Sequence, residues 1–374
     1  MARTDGGHGP DLLMRAARFL AATTWGAALA VLVASCVRLP AGAGSSLEQL
    51  FVWGALLVET FRVPAVLATT IGVFGSVLFS GLRRRVPYIT LVCAAVVMGW
   101  GVPPLVPTGV PEHPEPDEEL VVYALNLMYG TGEAGLMLAE AERVGADVLV
   151  LSEFTPEFER DADALIRARY PFAHGCARDD GFGLMIYSRL PFEGPAQIPA
   201  ISWETPQPRV RLTVGTRVVE VWGVHLQSPG RPWIVTKQRE EVERMAADLR
   251  AVLDTPPEAS GIDAVVIAGD FNAPWRTGHL RELRRVRGVH EAHDALAWGA
   301  GSTWPHVEYG GATGLMMAAF GETANIRLDH VVVSPGAVAL ETGVGQDTRS
   351  DHLGVWARVG VFGRDTDAGP EGGP

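Results

Sequence analysis

Apolar residues are distributed along this chain in two different ways. Before about position 107 they form long unbroken runs. Phe19 to Val37 is 19 residues without a charge, and Val63 to Leu82 and Val86 to Val106 are likewise uncharged. About 20 apolar residues in a helix cross the hydrocarbon layer of a bilayer. The runs therefore predict a bundle of about three transmembrane helices, near 19–38, 63–82 and 86–106. Leu50 to Phe61 is apolar too, but Glu59 and Arg62 interrupt it, so it either extends the second span or lies at the interface. A secretory signal peptide would account for the first run but not for the later two. Buried helices of a soluble domain would need polar faces that these runs lack.

Beyond about 118 the pattern shortens to strand-like and helix-like segments. Val121 to Leu125 reads as a strand ending in Asn126, and Glu133 to Val144 as a helix. Asp147 to Leu151 reads as a strand ending in Ser152-Glu153, and Phe182 to Tyr187 as another. Val210 to Val214 and Arg217 to Val224 form a predicted hairpin around Gly215-Thr216, whose second arm ends at His225. Ile234 to Leu253 suits an amphipathic helix, with Val235, Val242, Met245, Leu249 and Val252 near one face. The run Ala264 to Ala268 leads into Gly269-Asp270-Phe271-Asn272, and late strands are expected at Arg327 to Val333 and Leu353 to Val361.

The junction, 108–118, is Pro-rich and acidic and reads as an extended linker. The predicted organisation is a membrane region over 1–107, this linker, a folded domain over 119–362 and a disordered tail over 363–374. Basic residues set the orientation. Arg15 and Arg18 precede the first span and Arg83-Arg84-Arg85 separate the second from the third, while Leu39 to Leu47 carries no Lys or Arg. The positive-inside bias places those basic loops in the cytoplasm and everything after Pro107 outside it. The expectation is a multi-pass protein of the cell membrane with an extracytoplasmic domain.

Charge and cysteine content narrow the picture modestly. A formal net charge of -12 argues against tight, sequence-independent binding of nucleic acid, which needs a basic face. Cys36 and Cys93 lie in the expected spans and Cys176 stands alone in the folded region, so no disulfide framework is available there.

Candidate chemistry clusters at strand ends. Asn126, Glu153, His225 and the pair Asp270/Asn272 each close a predicted strand, Asp329 sits in another, and Ser350-Asp351-His352 immediately precedes the last. Strand ends on one rim of a sheet converge on one cleft, where open α/β folds place their sites. Asp270 and Asn272, two apart, share a face; the plain alternative is an Asp/Asn turn capping its own backbone. Hydrolysis of a phosphate ester needs a cation for the phosphoryl oxygens, a base for water and donors for developing charge. Glu153 is the leading hard-oxygen ligand, or else a helix-start acid. His352 is a base candidate with Asp329 to orient it, and His225 a second proton donor or phosphate contact. His330, beside Asp329, is read as structural.

In this order, Asn126, Glu153, His225, Gly269-Asp270-Phe271-Asn272, Leu328-Asp329-His330 and Ser350-Asp351-His352 resemble the endonuclease/exonuclease/phosphatase superfamily over roughly Glu119 to Val361. Gly301-Ser302-Thr303-Trp304-Pro305 is similar to bacterial members. The resemblance implies a four-layered α/β sandwich, two central mixed sheets flanked by helices, with one cleft. It implies Glu153 and Asp351 as the metal-side carboxylates, Asp270 and Asn272 aligning water and phosphate, and Asp329 orienting the general base His352. Asn126 and His225 would contact phosphate. Some members carry an acid two positions after the first asparagine. Met128 stands there, which favours one Mg²⁺ (or Mn²⁺) over two.

The expected function is a membrane-anchored, Mg²⁺-dependent phosphodiesterase or nuclease-like hydrolase. The alternatives are a lipid-headgroup phosphodiesterase of sphingomyelinase or phospholipase C type and an inactive membrane scaffold. Expected partners are the phosphate-ester substrate (nucleic acid or phospholipid headgroup) and the bilayer; no protein partner is predicted. A transporter would need charged groups within the spans, and these runs have none.

Overall fold

A computed structural model of the chain describes residues 22, 26, 46–60, 91–96, 99, 105–194, 196–198, 200–202, 205–306 and 326–364. The chain divides into two compact units, Met1–Leu105 and Val106–Pro374. In the first, helix α1 (Ser46–Thr60) covers the apolar segment interrupted by Glu59. Apart from isolated positions, the expected spans near 19–38 and 63–82 and most of that near 86–106 lie outside the described residues. Among the described residues no helix is long and apolar enough to cross a membrane.

The second unit begins with an extended Pro-rich segment held along the domain. Thr108 N and Gly109 N donate to the carbonyls of Asp294 and Ala295, and Asp117 N donates to Val361 O. The chain then forms β1 (Glu118–Asn126), α2 (Ala134–Arg143), β2 (Val148–Ser152), α3 (Pro156–Arg167), β3 (Phe172–Cys176) and β4 (Leu184–Ser188). A small pair, β5 (Ala200–Ser202) and β6 (Thr205–Pro206), leads to β7 (Arg209–Val214), β8 (Arg217–His225), α4 (Pro232–Asp254) and β9 (Ala264–Asp270). After the short strand β10 (His290–Glu291) come β11 (Asp329–Val333), β12 (Ala337–Val344) and β13 (Val355–Val361). One mixed sheet has the order β12-β13-β1-β2-β4-β3 and the other β10-β11-β9-β8-β7.

Period-two alternation builds the layers. Along β1, Leu120, Val122 and Ala124 pack between the sheets with Val150, Val221 and Val266. Val121, Tyr123 and Leu125 face the other way, against Met137 and Ala141 of α2 and Phe158 and Ile166 of α3. On the second sheet Trp222, Val265 and Ile267 face Val242, Met245 and Leu249 of α4. Each such side chain contributes roughly 1.5–3 kcal/mol relative to exposure. Helix α3 starts where Thr155 accepts a hydrogen bond from Phe158 N, with Pro156 in the first turn. Helix–sheet–sheet–helix packing makes the unit an α/β sandwich. Its C-terminal strand runs into Arg364, whose guanidinium donates to the carbonyls of Val252, Leu253 and Ile262, so the packed chain extends to 364, two residues beyond the predicted boundary.

Candidate active site

Strand register brings the polar strand ends together. In the parallel pair β1/β2, Asn126 stands opposite Ser152, one residue from Glu153. In the second sheet Asp270 is flanked by His225 on β8 and by Asp329 on β11. Gly269 makes that close pairing possible. Its φ of 141° is one that L side chains rarely adopt, and a Cβ there would lie 1.9 Å from Val224 O.

Asn126 joins the two sheets. Its Nδ2 donates to Glu153 Oε1 at 3.0 Å and to Asp270 Oδ2 at 3.0 Å, while its Oδ1 accepts from Met128 N at 2.9 Å. Glu153 Oε2 accepts from Tyr129 N at 2.7 Å. Asp270 Oδ1 accepts from Asn272 N at 2.8 Å and its Oδ2 from Asn272 Nδ2 at 3.2 Å; Asn272 Nδ2 also donates to Leu226 O at 2.8 Å. His352 and Asp329 form a buried pair, Nδ1 to Oδ2 at 2.8 Å, and His352 Nε2 lies 3.9 Å from Asp270 Oδ2. His225 Nε2 is 3.7 Å from Asp270 Oδ2 and 3.9 Å from Glu153 Oε1, with its ring beside Phe182. Asp351 Oδ2 accepts from Trp304 Nε1 at 3.1 Å. All eight candidate residues thus occupy one end of the two sheets, and Ser350 Oγ ties the last loop to Asn126 O at 2.6 Å.

The electrostatics follow from burying several carboxylates with few cations. Burial, then repulsion from Asp329, raises Asp270 to about 7 against the opposing pull of His352 and its amide donors. Burial also raises Glu153, and Asp351 adds to the shift. His352 moves the other way. Burial alone would lower it, but Asp329 and Asp270 overcome this and push the imidazole up to about 10. His225, buried and facing His352, is lowered to about 4 and is neutral.

Groups outside the eight candidates support this end of the sheets. Gln238 on α4 is fully buried and donates through Nε2 to Phe271 O at 3.2 Å and Asn272 O at 3.4 Å. It lies on the apolar stripe with Val235, Val242 and Met245; a polar residue on such a stripe was the available signal. His330 Nε2 bonds Ala273 O at 3.0 Å and its Nδ1 lies 3.4 Å from Glu291 Oε1, which also pairs with Arg327 at 3.2 Å. Thr303 Oγ1 accepts from Leu328 N at 3.0 Å. Two arginines of β7 are engaged with carboxylates of their own. Arg209 pairs with Asp248 over the Trp222 ring, and Arg211 pairs with Glu220. Trp275 is core.

The model of the Endonuclease/Exonuclease/phosphatase family matches residues 128–352, more than half of the chain. The chain belongs to that family. Its members hydrolyse phosphoesters, in general with a divalent metal ion. Among solved structures, TDP2 from Caenorhabditis elegans is similar at 18% identity, with 87% of this chain and 96% of that chain covered and a TM-score of 0.51. An endonuclease/exonuclease/phosphatase from Bacteroides vulgatus is similar at 12% identity, covering 65% and 99%, with a TM-score of 0.51. At these identities the likeness is one of fold. A comparison with curated protein sequences finds no match.

The residues present fit a divalent cation. Glu153, Asp270, Asp329 and Asp351 offer hard oxygen donors, and burial raises Glu153 and Asp270, with a neighbouring carboxylate adding to each shift. Ligand atoms of Asp270, Asp329 and His352 lie within 4.8 Å of one another. The Asp329–His352 hydrogen bond already occupies two of those atoms.

Proposed function

We propose that this chain is a metal-dependent hydrolase of phosphate esters, of the phosphodiesterase or nuclease-like type, working at the site around Asn126. The observation that carries this reading is the meeting of Glu153 and Asp270 through one bridging amide, with the Asp329–His352 pair 3.9 Å from Asp270. Glu153 and Asp351 would hold Mg²⁺ (or Mn²⁺). A bound divalent cation neutralises phosphoryl oxygens and favours the ionised form of the carboxylates around it.

The hydrogen bonds divide the remaining work. Asp329 holds the His352 imidazole through Nδ1, and its Nε2, 3.9 Å from Asp270, is the general base for attacking water. Asp270 and Asn272, tied to each other and to Asn126, align that water and the phosphate. Neutral His225 is a further donor at the same phosphate.

In the same reading the apolar runs before residue 107 anchor the protein in the cell membrane, with the catalytic unit on the outer side. A reporter active only in the cytoplasm, fused after residue 118, should be inactive. A phospholipid headgroup is the second substrate class, favoured by that tether.

The test uses the full chain in detergent with Mg²⁺ or with chelator. The panel holds DNA, RNA, sphingomyelin, phosphatidylinositol phosphates and bis(p-nitrophenyl) phosphate. Metal-dependent cleavage of at least one is expected, and Asp270→Ala and His352→Ala should abolish it while folding is kept. Undiminished turnover in those variants would reject the assignment.

A further inference from the structure

The Pro-rich segment that leads into the second unit is strapped down almost at once. The last uncharged run, Val86 to Val106, ends two residues before Thr108. Thr108 N donates to Asp294 O at 2.9 Å and Gly109 N to Ala295 O at 3.0 Å, and Thr108 Oγ1 donates to Asp294 O at 3.1 Å. Two residues of extended chain span at most about 7 Å. The helical turn Ala292–Leu296 is therefore held beside the end of that run.

Just past this turn stands Trp298, at 75% the most exposed large apolar residue among the described residues. Its backbone is pinned on both sides. Ala297 N donates to His293 O at 2.9 Å, the His293 ring meets Gly299 O at 3.1 Å, and Arg327 donates to Gly301 O at 2.9 Å. A Cβ on Gly301 would lie 2.3 Å from His293 Cε1, so the turn closes tightly on that ring. The indole is thus presented outward from a fixed base. It is amphipathic, an apolar body with one N–H donor, and such rings are enriched where membranes meet water. Charge marks the same surface. Ala295 to Ser302 and Leu105 to Pro111 carry no charged residue, and the bonds of Thr108 and Gly109 join the two segments. The carboxylate at their junction, Asp294, is already paired with Arg276 at 2.5 Å. In a chain of formal net charge -12, an uncharged patch is the face that nears anionic headgroups with least repulsion.

We propose that Trp298 and the uncharged surface around it rest on the lipid bilayer, with the indole in the headgroup layer. The second unit is then docked in one orientation instead of swinging on its linker. Interfacial apolar groups of this kind enter about 5–10 Å into the boundary between headgroups and acyl chains. A single exposed tryptophan needs no explanation by itself; one fixed beside the strapped end of an apolar run, on an uncharged face of an acidic chain, does. Docking of this kind presupposes the anchoring proposed above for the runs before residue 107, and adds to it the face that meets lipid.

Indole fluorescence of the full chain in phosphatidylcholine nanodiscs tests the docking. The chain has ten tryptophans, so the signal of Trp298 is the difference between wild type and Trp298→Phe. Discs are prepared with and without a nitroxide on the lipid headgroup, and iodide serves as the aqueous quencher. The nitroxide lipid should cut the difference emission about twofold or more, while iodide leaves it nearly unchanged. Because the side chain is exposed, Trp298→Phe should keep the unfolding temperature of wild type. Quenching by iodide but not by the nitroxide would place Trp298 in water, and quenching by neither would place it under a second copy of the chain. Either result overturns the docking while leaving the anchoring in place. Release of the chain from membranes by alkaline carbonate overturns the anchoring, and the docking with it.

Discussion

Replacing Gln238 by methionine isolates what one buried amide does for the site. The side chain is fully buried, and through Nε2 it reaches the carbonyls of Phe271 and Asn272 at 3.2 and 3.4 Å, while its Oε1 has no partner. Two long hydrogen bonds of this kind contribute about 0.5–1.5 kcal/mol each. An unpaired buried acceptor costs about 1–3 kcal/mol, and Gln238→Met removes it while keeping the volume. The terms nearly cancel, so stability should change by no more than about 1 kcal/mol, or roughly 2–4 °C in unfolding temperature for a domain of this size. Activity should respond differently. The turn carries Asp270 and Asn272, and a displacement on the order of 1 Å at a reacting group costs as much as about 100-fold in rate. The expectation is a 10- to 100-fold fall in kcat on bis(p-nitrophenyl) phosphate at little changed Tm. In an Asn272→Ala background the same change should cost less than about twofold, since the positioned group is already gone. A wild-type kcat, or a loss tracking the folded fraction, would refute the reasoning.

Glu291 should govern acid stability. Burial opposes its ionisation, but Arg327 and His330 overcome this and hold it well below the ordinary carboxylate value of 4.5. A depressed carboxylate stabilises fully above its unfolded pKa and loses that contribution as pH falls through the folded value, so urea midpoints should drop as pH goes below about 4.5. Glu291→Gln should lower stability at pH 7 and flatten that dependence. Asp329→Asn should move the His352 titration, followed by imidazole NMR, down from about 10 and reduce kcat by about 100-fold or more; an unmoved titration would dissolve the pair. Gly269→Ala should destabilise by about 1–3 kcal/mol in thermal unfolding, since the added methyl meets Val224 O with no flexible side chain to yield. Glu153→Gln should raise the Mg²⁺ needed for half-maximal hydrolysis about tenfold or more.

The parts of the fold legible in the sequence are those where burial imposes a strict period. The strands now labelled β1, β2, β8 and β9 have every residue near the site buried, and their polar last residues stood out against apolar runs. The strands β3 and β12 were not anticipated. Both are edge strands of the six-stranded sheet, only partly buried, and Phe172–Cys176 reads as FAHGC with no alternation to follow. Helix α3 was hidden by its six charged residues among twelve, although Thr155 and Pro156 marked its start. For the site, motif order supplied the eight side chains that converge. Gln238, Thr303 and the Glu291–Arg327–His330 group act through contacts 25 or more residues distant in sequence, which no local pattern encodes.

The pairing of β1 with β13 has a consequence for how the protein comes into being. Val121 lies opposite Arg358, so the strand that carries Asn126, paired early with β2, waits for almost the last residues of the domain before its second neighbour exists. The Ser350-Asp351-His352 loop arrives with that same closing strand. During synthesis the first four strands and the whole second sheet emerge while the centre of the first sheet is still open, and long-range closure of this kind is slow. No truncated product ending before β13 can assemble the site. Whatever ester this chain cuts is safe from it until the final strand is in place.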